Sequence, residues 1–129
     1  MAPISVTLAP RDPPAALVAL VGEHDAYSAG RLENEFAVLL GESRSIVVDL
    51  RDTEFIDSVT LSVLLAARRH AEESGLGFTL VLPRRDYTQV HKLLDLTGLG
   101  ASFAIFGTLD EALTAARSNR TSGSVRSAA

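Results

Sequence analysis

The 129-residue sequence contains no cysteine. That absence excludes disulfide bonds, thiolate metal sites and a cysteine nucleophile. No apolar run is long enough to span a bilayer, and no basic start followed by an apolar core marks a signal peptide. The formal net charge is −4, whereas a general nucleic-acid-binding surface carries an excess of positive charge. We therefore expect a cytoplasmic, soluble protein that contacts neither a membrane nor nucleic acid directly.

The composition is that of an ordinary globular protein, with 47% hydrophobic and 22% charged residues. A chain of this length usually forms one domain and buries enough surface to fold without a disulfide. We assign residues 1–117 to that domain. Residues 118–129 are small and polar and present no apolar face, so we predict a disordered C-terminal tail there.

Apolar patterning predicts five strands and four helices. The strands cover residues 4–8, 15–21, 46–50, 78–82 and 103–106, and the apolar stripes of the helices run through residues 32–40, 61–71, 90–96 and 109–116. Ser28 and Thr108 are the expected N-caps of the first and last helices. A proline-rich turn makes the first two strands an antiparallel hairpin, and strands and helices alternate afterwards. The predicted fold is α/β, with a mixed, mostly parallel sheet.

Polar loops follow three of the predicted strands, at residues 23–28, 51–58 and 84–87. The carboxyl ends of parallel strands share one edge of a sheet, where ligands and partners bind. Acidic residues concentrate here, and they indicate either loop solvation or a cation site. These acids are Asp25, Asp49, Asp52, Glu54 and Asp57. The histidines, His24, His70 and His91, lie far apart in the sequence, show no metal spacing and are predicted to be surface residues. We expect no cofactor.

Ser58 stands where the third predicted strand meets the second helix, directly after Asp57. Its hydroxyl either caps the helix or is the modified group of the protein. A phosphate is tolerated at a helix N-terminus, because free amides and the helix dipole offset its charge. A third interpretation makes Ser58 the nucleophile of a hydrolase with His24 and Asp25, although the Gly-x-Ser-x-Gly context is missing.

The residues resemble those of STAS domains, specifically the bacterial anti-sigma factor antagonists. The similarity spans residues 4–117 and rests on short segments in the family's order. These are Gly22-Glu23-His24-Asp25, Val47-Val48-Asp49-Leu50, Phe55-Ile56-Asp57-Ser58, Leu96-Thr97-Gly98-Leu99 and Glu111-Ala112-Leu113. The family commonly continues Asp-Ser-Ser-Gly-Leu-Gly, whereas this chain has Val59, Thr60 and Ser62 at the second serine and the two glycines. Side chains thus stand where a partner's backbone would otherwise approach closely.

The resemblance implies a binding protein and not an enzyme. It implies that the unphosphorylated form binds an anti-sigma factor, a serine kinase of the GHKL type, and so frees a sigma factor. The kinase would phosphorylate Ser58 with ATP and magnesium, and a phosphatase would reverse this. Thr60 is a second, less favoured acceptor. The implied partner contacts are Asp25, Asp57, Ser58, Val59, Thr60 and Ser62. The alternative is a STAS scaffold or small-ligand sensor without phosphorylation.

Overall fold

The computed structural model describes residues 3–9 and 13–118. Two sheets and four α-helices make up this part of the chain. The strands are β1 (Ile4–Ala9), β2 (Ala15–Leu20), β3 (Gly22–His24), β4 (Ser45–Asp49), β5 (Thr53–Ile56), β6 (Phe78–Val81) and β7 (Ala104–Phe106). The helices are α1 (Ala26–Gly41), α2 (Ser58–Glu73), α3 (Gln89–Thr97) and α4 (Leu109–Arg117), and a short 3-10 helix covers Leu99–Ser102.

The main sheet has the strand order β1-β2-β4-β6-β7. Strands β1 and β2 pair antiparallel, and every other pair in this sheet is parallel. Every residue of the central strand β4 is buried, as expected of a parallel strand covered on both faces. The predicted α/β class, the N-terminal hairpin and the mostly parallel sheet are confirmed.

Helices cover both faces of the main sheet. On one face, Ile46 and Val48 of β4 belong to the large core formed with α1, α2 and α3. On the other face, Val47 joins a smaller cluster with Ala112 and Ala116 of α4. This alternation follows from the two-residue period of a strand. In the large core, the rings of Phe36 and Phe78 meet edge to face with centroids 5.7 Å apart.

A second, two-stranded sheet was missed by the sequence patterns. Strand β3 overlaps the segment 23–28, which was predicted to be a loop, and it pairs in parallel with β5. The Thr53 hydroxyl donates to the carbonyl of Leu20 at 2.6 Å, and the Gly22 amide donates to the carbonyl of Asp52 at 3.0 Å. The first bond fastens β5 to the end of β2, and the second joins β3 to the residue that precedes β5. Strands of three and four residues are too short to show an alternating pattern.

The last helix, α4, begins as predicted: Thr108 caps it by accepting a hydrogen bond from the Glu111 amide at 3.1 Å. It ends at Arg117 and is followed by Ser118. The remainder of the predicted tail, residues 119–129, lies outside the described residues. Within residues 3–9 and 13–118, no helix is long and apolar enough to cross a bilayer.

Candidate functional site

Ser58 is the first residue of α2, and its side chain is exposed. The residue that caps this helix is Asp57, whose carboxylate accepts from the Thr60 amide at 2.8 Å. The interpretation of Ser58 as the cap is therefore wrong, because the cap must be the extended residue just outside the helix. Among the described residues, the Ser58 hydroxyl has no hydrogen-bond partner. It is thus free to react or to be modified.

Asp25 has the same role at the start of α1. Its backbone is extended, and its carboxylate accepts from the Tyr27 amide at 2.9 Å. The predicted cap, Ser28, is wrong, since it lies inside the helix and its hydroxyl donates to the Asp25 carbonyl at 3.2 Å. Both helices therefore begin with an aspartate cap.

The small sheet brings these two caps together. His24 lies opposite Ile56 in the β3–β5 register, and the Asp57 amide donates to the His24 carbonyl at 3.2 Å. Asp25 and Asp57, which follow His24 and Ile56, consequently start their helices side by side. The N-terminus of a helix carries partial positive charge, and two such ends with two carboxylates form one polar edge around Ser58.

The residues after Ser58 divide between surface and core. Val59 and Ser62 are exposed, and the Ser62 hydroxyl donates to the carbonyl of Ser58 at 2.9 Å. Thr60 is fully buried, and its hydroxyl has no hydrogen-bond partner in the described part of the chain. Of the six predicted contact residues, only Thr60 is inaccessible to a docking partner. The others are Asp25, Asp57, Ser58, Val59 and Ser62.

The other acids of this edge do not assemble into a cation site. Asp49 is buried and forms a two-bond ion pair with the Arg51 guanidinium, at 2.9 and 3.0 Å. This hydrogen bonding raises the pKa of Arg51 above its ordinary value. Asp52 and Glu54 are exposed. No group of acids and histidines that would hold a metal ion occurs in residues 3–9 and 13–118. The acids of the edge therefore act through capping, ion pairing and surface charge.

His24 is fully buried, so the prediction of a surface histidine is wrong at this position. Its Nε2 lies 3.1 Å from the Val21 carbonyl and its Nδ1 lies 3.1 Å from the Ser28 hydroxyl. Because both ring nitrogens are engaged inside the fold, His24 does not bond to Ser58. The described residues thus form no Ser-His-Asp triad at this edge.

Burial lowers the pKa of His24 below the usual value of an imidazole. The unfolded chain therefore takes up the proton first, and we expect His24 to reduce the free energy of unfolding as the pH falls below about 6.5. The slope is at most about 1.4 kcal/mol per pH unit. Urea unfolding at neutral and acid pH measures it. His24→Leu should flatten the profile, whereas His70→Leu, at an exposed position, should not; equal acid sensitivity in His24→Leu contradicts this.

Large apolar side chains also lie exposed along this edge; of the four named here, Val59 alone is among the contacts that the family resemblance implies. Tyr27 is 91% exposed and Tyr87 62% exposed, and Phe55 and Val59 are also exposed. Tyr27 and Val59 stand in the first turns of α1 and α2, and Phe55 lies on β5. The exposure of these side chains depends on how β5 and the helix starts are oriented relative to the sheet. A local sequence pattern does not predict that orientation. Exposed apolar groups around a polar centre are typical of a protein-binding surface.

The fold, the exposed Ser58 beside the capping Asp57 and the apolar surroundings describe a small α/β domain with one polar edge, and comparison with known proteins gives its family. The family described as Mlab, STAS domain matches residues 8–117. The anti-sigma-F factor antagonist RsfB of Mycobacterium tuberculosis is 32% identical over 122 residues, which is 92% of this chain and 96% of that protein. The chain belongs to the STAS-domain family.

Solved structures agree with this assignment. An anti-sigma factor antagonist from Mycobacterium paratuberculosis is 32% identical and superimposes with a TM-score of 0.71 over 89% of this chain and 95% of that one. SpoIIAA of Bacillus, in its phosphorylated form, has 18% identity and a TM-score of 0.63 over 85% of this chain and 97% of that one. At 18% identity, the second likeness shows the fold alone. Within the STAS family, the chain is thus similar to anti-sigma factor antagonists.

Proposed function

We propose that this protein is an anti-sigma factor antagonist whose binding is switched off by phosphorylation of Ser58. The proposal rests on the exposure of Ser58, which is the first residue of α2 and lies beside the capping Asp57. The relative RsfB, 32% identical, is named an anti-sigma-F factor antagonist. SpoIIAA, which shares the fold, exists in a phosphorylated form.

Ser58 is a better acceptor than Thr60 for a physical reason. A kinase must bring the attacking hydroxyl within about 3–3.5 Å of the phosphorus, in line with the leaving group. Thr60 is fully buried, so α2 would have to unwind before its hydroxyl reached a nucleotide. The Ser58 hydroxyl needs no such change. At position 58, the phosphate would also face the free amides of the first helical turn, which stabilise it.

The partner surface that we propose is the edge around Ser58. It combines the exposed apolar side chains of Tyr27, Phe55 and Val59 with the carboxylates of Asp25 and Asp57. An anti-sigma factor docking here would exclude water from Ser58. A phosphate with about two negative charges would then have to be desolvated among carboxylates, so phosphorylation would oppose docking while the helix persisted.

The proposed partner is a GHKL-type serine kinase that is itself the anti-sigma factor, with a phosphatase that restores the free serine. Incubation with native cell extract and MgATP, followed by intact-mass measurement and peptide mapping, tests for transfer. We expect one phosphate on the wild type, on Ser58, and none on Ser58→Ala. Ser74→Ala removes a matched exposed hydroxyl from the other end of α2 and should be phosphorylated normally.

The variant Thr60→Val separates the two hydroxyls, because it removes the unbonded Thr60 hydroxyl at nearly constant volume. We expect Thr60→Val to be phosphorylated normally. If Thr60→Val takes up no phosphate, the phosphorylated residue is Thr60 and not Ser58.

The absence of phosphate on the wild type, together with retained binding of partners, would favour the second candidate, an unphosphorylated STAS scaffold or small-ligand sensor. A groove of about 560 Å³ between Val21 and Tyr27 favours a small ligand in that case.

A further inference from the structure

The side chain of Gln89 makes two hydrogen bonds to the backbone of Ile56. The Ile56 amide donates to Oε1 of Gln89 at 3.0 Å, and Nε2 of Gln89 donates to the Ile56 carbonyl at 2.8 Å. Only one orientation of the amide satisfies both bonds, since one atom must accept and the other must donate. The two residues are 33 positions apart in the sequence. Gln89 therefore connects the start of α3 to the end of β5.

These bonds complete the pairing of β5. On one side, β5 pairs with β3, and the Asp57 amide donates to the His24 carbonyl. Neighbouring residues of a strand direct their backbone groups to opposite sides, so the amide and carbonyl of Ile56 face away from β3. Gln89 meets them there in place of another strand. The Ile56 residue is fully buried, which makes unpaired backbone groups at this position costly.

Gln89 is held on a well-anchored helix. It is the first residue of α3, and Val90 and Leu94 of this helix are buried in the large core. The preceding residue, Thr88, donates from its amide to Nδ1 of His91 at 3.1 Å, and its hydroxyl lies 2.9 Å from the same atom. The start of the helix is thus fixed by local bonds as well as by packing. Because the start of α3 is held in place, the Gln89 side chain can hold Ile56 in one position.

The clamped residue, Ile56, directly precedes Asp57 and Ser58. Any movement of Ile56 is transmitted through Asp57, the cap of α2, to the Ser58 hydroxyl. We propose that Gln89 is a positioning residue that holds the Asp57–Ser58 start of α2 in the geometry needed for phosphate transfer, an inference that rests on the proposed function. Phosphoryl transfer depends on in-line placement of the attacking oxygen, so a displacement of about 1 Å lowers its rate steeply.

Two variants test this role. Gln89→Met keeps a long unbranched side chain and removes both bonds. Gln89→Glu keeps the shape, but its ionised carboxylate cannot donate to the Ile56 carbonyl and is repelled by it. A protonated carboxyl regains one donor and one acceptor, so this variant is restored at acid pH. The matched control is Lys92→Met, on an exposed position of the same helix.

Amide hydrogen exchange measured by NMR reports positioning directly. In Gln89→Met we expect exchange at least about tenfold faster at the amides of residues 56–60, with unchanged exchange at Val47 and Val48 in the central strand. A merely destabilised protein would exchange faster at all of these positions. In Gln89→Glu, the chemical shift of the Ile56 amide should move to its wild-type value as the pH falls through the pKa of a carboxyl, about 4.3.

Phosphate transfer by the kinase activity found in native extract gives the functional result. For Gln89→Met we expect kcat to fall by about tenfold while KM for this protein changes little, because the exposed docking residues are untouched. Lys92→Met should match the wild type in both constants. Unchanged kcat in a Gln89→Met protein that exchanges faster at residues 56–60 overturns the positioning role.

The exchange experiment separates this inference from the proposed function. If wild-type Ser58 accepts no phosphate, the proposed switch fails. The positioning of Asp57 and Ser58 by Gln89 is then judged by exchange alone. Faster exchange confined to residues 56–60 supports it, and wild-type exchange in Gln89→Met overturns it.

Discussion

Ser58→Glu is expected to weaken binding of the anti-sigma factor on the order of 100-fold, or about 2.7 kcal/mol. The new carboxylate would stand at the first position of α2, next to Asp57 and across from Asp25. The helix start itself tolerates a negative charge, so the fold should remain intact. The loss arises on docking, when the partner removes water from three neighbouring carboxylates. Isothermal titration calorimetry with the anti-sigma factor, at fixed ionic strength, measures the difference.

The matched control is Ser58→Gln, which has the size of glutamate without its charge. It should bind within about fivefold of the wild type, a loss below about 1 kcal/mol. Ser58→Ala should also bind. If Ser58→Gln loses as much affinity as Ser58→Glu, steric exclusion and not charge governs the site. Wild-type affinity in Ser58→Glu would contradict docking at this edge.

Gly77→Ala is expected to lower the free energy of unfolding by about 3 kcal/mol. Gly77 lies just before β6, and a Cβ atom there would stand 2.7 Å from the Cα of Ala116 in α4. Backbone cannot move aside as the end of a side chain does, so α4 would be pushed off the sheet. The amide of Gly77 also donates to the Ser45 hydroxyl at 2.9 Å, which restricts any shift of its own. Urea unfolding monitored by circular dichroism tests this.

The control for this prediction is the same substitution at Gly30. Gly30 is an exposed residue of α1, and a Cβ there would meet nothing within 4 Å. Gly30→Ala should therefore stabilise the protein by about 0.5–1 kcal/mol, because alanine loses less conformational freedom in a helix. Opposite signs for the two variants are expected. Equal stability of Gly77→Ala and the wild type would show that α4 does not pack as closely as described.

Several features were predictable because they depend on neighbours in the sequence. The apolar run of β4 is buried at every residue, and the stripe of α2 follows the spacing of its leucines. Thr108 caps α4 as expected, by accepting from the Glu111 amide. Gly98 ends α3 with a left-handed backbone, φ 70°, which glycine adopts without strain. Each of these features is decided within a few residues.

The predicted start of α1 was displaced by three residues. Ser28 is the expected cap because a small hydroxyl can accept from free amides of the first turn, yet the cap is Asp25. At α2, one of the two interpretations of Ser58 made it the cap, yet the cap is Asp57, one residue earlier. In both cases the preceding short strand determines where the chain turns into the helix. That strand exists through the pairing of β3 with β5, which lies outside any local window.

Other features needed contacts between distant segments. His24 is buried because β3 places it beneath the N-terminus of α1. There the Ser28 hydroxyl and the Val21 carbonyl lie within hydrogen-bonding distance of its ring nitrogens. Gly77 is an ordinary glycine in the sequence, and its importance comes from the close approach of Ala116. Gln89 is an ordinary polar residue in the sequence, and only the structure shows that its side-chain amide bonds to the backbone of Ile56. None of these roles follows from residue type or spacing.

The sequence by itself determined the α/β class, the order of the main elements, the family resemblance and the position of Ser58 at the start of α2. These depend on apolar periodicity and short local motifs, which act over a few residues. The tertiary structure alone decided that Asp57 is the cap, that Thr60 is inaccessible and that Gln89 holds the residue before the site. These depend on which segments pack together, because burial and hydrogen bonding between distant residues are fixed only when the sheets form.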